Sequence, residues 1–488
     1  MKRYLMAILA IIISLPLYVS ANNFPHIRTH GYDYWYFRKD LDQAKWLAKR
    51  HDWFIGGEIN EAVYGAMKSV NPNIKVMPYF PPAGEKFIGF VQNWCRKNGY
   101  NYEDTFYHYY YDTVVKLRGT NPSSILIKGY GGGTASTIQE ARVPESYVSY
   151  SNGGLDPVTS RVSRWQICPT SNIWRLANQA YLLNSVMPIN GSANKYADGV
   201  FWDSFGSALW GGLQIERTVE IRNLHRVTID EAKEQVRNDF IASMQQFKTY
   251  LTGKIGKTII IVPNCGDADY FYYWEKALFA DRIRDYAHCA IESLIRAASG
   301  TRRITRLKEV YDSMVNSGII FFARNETTLK DTSEKNKQFL IASHYLINHV
   351  NYNIMYHRGS ASFYGGSPAG QLYTTHWHKN LEYDIGTPVK RSSLDYWGAV
   401  NTDRFFVFAS VTTNSDSLKN YTVVGREYTN ALVLAKFGEG RLANIGLNPT
   451  THTLDGRYRL LQSDNTLGPP ITEIILGDSE GAILIKYQ

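Results

Sequence analysis

Between residue 24 and about residue 360 the chain alternates short, uninterrupted apolar runs with stretches of helical period. The runs are "DWFIGG" (52–57), "IKVMPYF" (74–80), "DGVFWD" (198–203), "TIIIVPN" (258–264), "HCAIES" (288–293), "GIIFFAR" (318–324) and "NIMYHR" (353–358). A fuzzier first member, "RTHGYDYWYF" (28–37), brings the number to eight. Strands that are apolar at every position, not at alternate ones, are covered on both faces and belong to a parallel sheet. The stretches between them carry helix signals. "TIDEAKEQVRNDFIASMQQFKTYL" opens on a capping box, Thr228 to Glu231, and places Val236, Phe240, Met244, Phe247 and Leu251 on one stripe. "SNIWRLANQAYLLNSV" repeats the design, with Ser171 as its cap and Ile173, Leu176, Ala177, Ala180 and Leu183 on one face. Eight such β/α units predict an α/β fold, a (β/α)8 TIM barrel. A doubly wound open sheet competes, but no GxGxxG follows the first strand.

Two connections exceed plain barrel loops: residues 81–197, with the Tyr-rich "YNYEDTFYHYYYD" and the Gly-rich "GYGGGTAS", and residues 204–227. Both leave the C-terminal end of a strand, the face where barrels place their chemistry. "GYGGG" lacks the Gly-Lys-Ser/Thr of a phosphate loop and reads as a flexible loop. After about residue 395 the pattern changes to short strands separated by turns: "RFFVFASV", "YTVVGRE", "ALVLAKFG", "RLANIGL", "TEIILG" and "GAILIKY". These predict a small antiparallel β domain, a sandwich. The expected organisation is thus a barrel over 22–395, with the long insertion at 81–197, and a β domain over 396–488.

The first 21 residues stand apart. "MKRYLMAILAIIISLPLYVSANN" has a basic start at Lys2 and Arg3, an apolar stretch from Leu5 to Leu15, and the small-residue site Val19-Ser20-Ala21. This is the form of a secretory signal peptide cut after Ala21, and it predicts a secreted or periplasmic protein. No later segment holds eighteen uninterrupted apolar residues, so no transmembrane segment is expected. The formal charge of +9 falls to +7 without Lys2 and Arg3, a balance that suits an anionic glycan or surface. No long Lys/Arg block points to nucleic acid. Aromatic residues make up 14% of the chain, 35 of them tyrosines, many of which must lie at or near the surface; core and rim packing accounts for most, and such rings also serve as stacking platforms in sugar-binding clefts. Cys95, Cys168, Cys265 and Cys289 are too few for a disulfide scaffold and form no CxxC, so a structural zinc is not expected.

Strand phase selects the candidate chemistry. Side chains alternate between the two faces of a strand. In "DGVFWD", Phe201 and Asp203 share one face, Val200 and Trp202 the other. If Val200 and Trp202 pack against the helices, Asp203 ends the fourth strand facing the barrel mouth, and Asp198 lies at the opposite end in a structural role. In "HCAIES", Ala290 and Glu292 share a face, so Glu292 ends the sixth strand as Asp203 ends the fourth. Asn264 ends the fifth in phase with Val262, Arg324 ends the seventh, His357 and Arg358 end the eighth, and Tyr79 ends the third. Polar residues at strand ends are common in any α/β protein. An Asp and a Glu at the tips of alternate strands, both in the inward phase, are the pair that glycoside hydrolysis needs: one protonates the leaving oxygen, the other attacks or activates water.

Other constellations are weaker. "HWH" (376–378) could offer two zinc ligands, His376 and His378, but has no third partner at a motif spacing. His344 and His349 do not share a helix face, and no GxSxG elbow marks a serine esterase. These residues call for no metal and no cofactor. Cys265 and Cys289 have no general base at a recognisable spacing and are not expected to be catalytic.

At these motifs the chain resembles barrel-type glycoside hydrolases with a C-terminal β domain. "ADGVFWDSFG" looks like the strand of such families in which a DG pair, three apolar residues and an Asp in the active site follow one another. The tail from "ALVLAKFG" to "GAILI" is similar to their β domain. The group it resembles most is hypothetical glycoside hydrolase family 15. The resemblance implies a site role for Asp203 alone; Glu292 rests on strand phase. The expectation is a secreted glycosidase acting on a polysaccharide or oligosaccharide, an anionic one included. Asp203 and Glu292 would be catalytic, and Tyr79, Trp202, Asn264, Arg324, His357 and Arg358 would bind substrate. The alternative is a non-catalytic carbohydrate-binding barrel that kept the cleft and lost the chemistry.

Overall fold

A computed structural model describes residues 28–33, 41–56, 61–80, 85–107, 166–167, 171–186, 196–202, 229–263, 289–291, 300–317, 320–323, 334–349, 353–358, 379–413, 419–439 and 446–487. Eight strands form the first sheet: β1 (Arg28–Asp33), β2 (Trp53–Gly56), β3 (Lys75–Phe80), β4 (Gly199–Trp202), β5 (Ile260–Pro263), β6 (Cys289–Ile291), β7 (Phe321–Ala323) and β8 (Asn353–Arg358). Their order across the sheet is β5-β4-β3-β2-β1-β8-β7-β6, and every ladder among them is parallel. This is chain order wrapped into a ring. The two ends of the series, β5 and β6, lie within 8 Å of each other, so the sheet curls round to a TIM barrel. All eight strands fall where the apolar runs predicted them.

The helices lie between the strands, as parallel crossovers require. They are α1 (Leu41–Ala48), α2 (Glu61–Val70), α3 (Glu85–Asn98), α4 (Asn172–Tyr181), α5 (Ile229–Ile255), α6 (Gly300–Ser317) and α7 (Glu334–Ile347). Ser171 caps α4 as expected, its Oγ accepting from the Trp174 amide at 3.3 Å. The capping residue Thr228 lies outside the described residues, but α5 begins directly after it. Within the insertion, a two-residue antiparallel ladder joins Phe106–Tyr107 to Gln166–Ile167.

Six strands follow: β9 (Phe406–Val411), β10 (Tyr421–Glu427), β11 (Ala431–Gly438), β12 (Thr450–Leu461), β13 (Leu467–Leu476) and β14 (Gly481–Lys486). They form one antiparallel sheet in the order β9-β10-β11-β14-β12-β13. Side chains from all six strands meet in one apolar cluster, Phe406, Val423, Leu434, Leu454, Ile474 and Leu484 among them. The opposite face, with Val433, Ala435, Phe437 and Ile483, joins the large core it shares with α6 and α7. β12 falls in a stretch not expected to be a strand. The expected segment "RLANIGL" lies outside the described residues apart from Gly446 and Leu447, which stand in a turn before β12.

Candidate active site

Two clusters show which way β4 faces. Val200 and Trp202 belong to the core between strands and helices, with Phe80, Trp174 and Phe247. Phe201 belongs to a separate cluster with Trp53, Ile55, Met77, Tyr79 and Val262, drawn from β2, β3, β4 and β5 alone. A cluster of strand residues with no helix residue in it is the inside of a barrel. The condition on which the reading of Asp203 depended, Val200 and Trp202 against the helices, is therefore met.

Local sequence explains how closely these strands approach. Phe201 pairs with Tyr79 on β3 and with Val262 on β5. The Tyr79 and Phe201 rings stack, centroids 5.9 Å apart and 23° from parallel. Tyr79 is 8% exposed, next to last on β3, and walls the barrel interior. Gly199 is a packing requirement: a Cβ there would run into the backbone carbonyl of Ile260 on β5. That accounts for the DG pair at the start of β4 without reference to chemistry.

Trp202, expected to touch substrate, lies on the other side of the strand, away from the barrel interior. It is 2% exposed and faces the helix layer, stacked on Trp174 at 5.9 Å and edge-on to Phe247 at 4.8 Å. Its odd position in the strand phase compels this, since Phe201 and Trp202 cannot both face inward. It fixes β4 against α4 and α5.

Asp198 has the structural role read from the sequence, at the end of β4 away from the mouth. Its Oδ2 accepts from the Lys68 ammonium at 2.7 Å and from the Val76 amide at 2.8 Å. Its backbone bridges β3 and β5, donating to the Val76 carbonyl at 2.8 Å and accepting from the Ile260 amide at 3.0 Å. Lys75 stands 3.9 Å from Oδ1. Burial, opposed by the attraction of Asp198 and reinforced by Lys68 and Lys75, pushes the nearby Lys257 ammonium below its ordinary range. Sequence reasoning missed these lysines because nothing along the chain links residue 68 to residue 198.

Asp203, Glu292, Asn264 and Arg324 lie outside the described residues, each one position past a described strand, as do His376 and His378. His357 and Arg358 are the last two residues of β8, paired in register with Gly31 and Tyr32 of β1. Among the described residues no group of His, Cys, Asp and Glu is arranged to hold a metal, and no helix is long and apolar enough to cross a membrane.

No family model matches the chain, and no curated protein does. Among solved structures it is similar to the isomaltulose synthase of Erwinia rhapontici, at 9% identity and a TM-score of 0.44, over 95% of this chain and 98% of that one. It is similar to the isomaltulose synthase SmuA of Protaminobacter rubrum, at 10% identity and 0.45, over 94% and 99%. A third is the trehalulose synthase MutB of Pseudomonas mesoacidophila, at 10% identity and 0.44, over 95% and 99%. With every one of these TM-scores below 0.5, the fold is read from the strand order and the two clusters of β4.

Proposed function

We propose that this protein is a secreted glycoside hydrolase acting on a polysaccharide or oligosaccharide, with Asp203 and Glu292 as its two carboxylates. The observation that supports the reading most is the phase of β4. With Phe201 in the barrel interior and Val200 and Trp202 against the helices, continued alternation would turn the next residue, Asp203, inward. β6 stands two places round the ring from β4, and Glu292 is the first residue beyond it. Two strand spacings would set their backbones roughly 10 Å apart, and side chains leaning inward would bring the carboxyls within the span used by retaining and inverting glycosidases. In this reading one carboxylic acid protonates the leaving oxygen. The other carboxylate attacks the anomeric carbon or takes a proton from the attacking water.

Tyr79 walls the mouth, and Asn264, Arg324, His357 and Arg358 hold hydroxyls or an acidic group of the sugar. Residues 1–21 direct export. The test is a polysaccharide array with reducing-end detection, using the chain without residues 1–21. The expected result is turnover on at least one glycan, lost in Asp203→Asn and in Glu292→Gln. Binding without turnover, unchanged by both substitutions, would instead make the chain a carbohydrate-binding barrel.

A further inference from the structure

The end of α7 is closed in part by residues from another part of the chain. The last four carbonyls of a helix need donors, and the usual solution is a glycine or asparagine turning back just past the end. Here Asn348 follows the helix directly and its amide donates to the Tyr345 carbonyl at 3.3 Å, and the sequence has no glycine between Ile347 and β8. Further donors come from the β domain. Arg426 on β10 sends one guanidinium nitrogen to the carbonyls of Tyr345, Leu346 and Asn348, at 3.2, 3.1 and 2.6 Å. Tyr428, two residues on, donates its hydroxyl to the same Tyr345 carbonyl at 2.6 Å. The Arg426 Nε donates to the Asp403 carbonyl at 2.8 Å, which ties in the segment leading to β9.

Arg426 is 1% exposed. A buried cation ordinarily needs an anion, yet no carboxylate among the described residues pairs with it within 4 Å. The negative end of the α7 dipole and the carbonyls of Tyr345, Leu346 and Asn348 take that place. Two rings enclose the guanidinium, Tyr311 of α6 at 5.8 Å and Tyr428 at 5.7 Å. The residue is held on its own sheet by pairing with Val433 of β11.

Five residues separate the end of α7 from β8, the strand that lies between β1 and β7 in the ring. Where α7 stops therefore limits where β8 starts, and a slip of one residue would turn every β8 side chain to the other face.

We infer that the β domain acts on the barrel as the C-cap of α7, with Arg426 as a positioning residue for β8 and for the tip that carries His357 and Arg358. That tip's part in binding substrate rests on the hydrolase reading above; the control of β8 does not.

Hydrogen exchange followed by mass spectrometry on the full chain tests it, comparing the parent with Arg426→Met, Arg426→Lys and Tyr428→Phe. In Arg426→Met the amides of 345–349 and 353–358 should exchange about tenfold faster or more while β12 and β13 keep the parent rate. Lys, with one compact ammonium, should restore part of the protection. Tyr428→Phe, which removes a single hydrogen bond and keeps the ring, should show the same local pattern more weakly, and it serves if Arg426→Met fails to fold. Acceleration spread evenly over the β domain, or none in 345–358, overturns the inference. With a substrate in hand, Arg426→Lys should raise KM more than it lowers kcat. Local acceleration in a protein that turns over no glycan would leave the inference standing and remove the hydrolase reading.

Discussion

β4 and β11 look alike as sequence and sit in opposite kinds of sheet. "GVFW" and "ALVLAKFG" are both buried along their whole length. β4 is parallel to both neighbours, β11 antiparallel to both. The common cause of the pattern is a cover on each face. For β4 the covers are the barrel interior on the Phe201 side and the helices on the Val200 and Trp202 side. For β11 they are the domain's own cluster, through Leu432 and Leu434, and the core shared with α6 and α7, through Val433, Ala435 and Phe437. An uninterrupted apolar run thus reports burial on both faces, not strand direction. Direction follows from the connections: helices lead into and out of β4, whereas three residues join β10 to β11.

The two strands also differ in what breaks them, and four measurements sharpen the contrast. The largest effect is expected at the close approach of β4 to β5. Gly199→Val drives a branched side chain into the Ile260 carbonyl, an atom of backbone that cannot rotate away. Urea denaturation should show a loss of about 3 kcal/mol or more. A loss under about 1 kcal/mol would mean that the strands can move apart, and that the DG pair is kept for another reason.

In β11 the weak point is a charge. Lys436 is fully buried, and its ammonium donates to the Asn448 carbonyl, to Thr450 Oγ1 at 3.0 Å and to the Leu476 carbonyl at 3.2 Å, with Asp478 Oδ1 at 3.6 Å. Lys436→Met leaves the buried Asp478 carboxylate without its cation, with Asn448 Nδ2 at 2.8 Å still donating to it, and should cost about 3 kcal/mol. Adding Asp478→Asn to that variant should recover part of the loss, which a purely steric defect would not allow.

Acid should act through two buried histidines. Burial, with Arg50 adding repulsion in the first case, pushes His51 beside the barrel and His344 on α7 down to about 3. Their folded values lie below the unfolded value of ~6.5, so the unfolded chain binds the extra protons. The stability they contribute is complete above pH ~6.5 and is lost as pH falls from there towards 3, by about 2 kcal/mol for each residue at pH 5. Equilibrium unfolding between pH 7.5 and 5 should follow this slope, and His344→Phe should flatten it. A slope unchanged by that substitution would show that His344 is protonated in the fold.

The smallest effect is local. Ser171→Ala removes the cap of α4, the helix against which Trp202 packs, and should cost about 1 kcal/mol with no change in the β domain. Thermal unfolding would detect it, and an unfolding midpoint identical to the parent's would show the cap to be idle.

Much of the fold was legible along the chain. The eight apolar runs, the cap at Ser171 and the helix starting after Thr228 depend on residues within one element, where period and capping chemistry act. β12 was missed because "THTLDGRYRL" buries only His452, Leu454 and Tyr458 among exposed neighbours, and its Asp455-Gly456 pair reads as a turn. Of the candidate site, strand phase located the inward face of β4, and the same rule, applied consistently, excludes Trp202 from the mouth.

By itself the sequence determined the units: which stretches are strands or helices, and which side of each is apolar. Those are properties of neighbouring residues, set by steric preference and by period. Tertiary structure alone decided the partners. Lys68 reaches Asp198, Gly199 faces the Ile260 backbone, and Arg426 closes a helix that ends 79 residues before it. Each partner satisfies a buried polar group or fills a space that exists only once distant elements have met, so no local pattern could carry the signal.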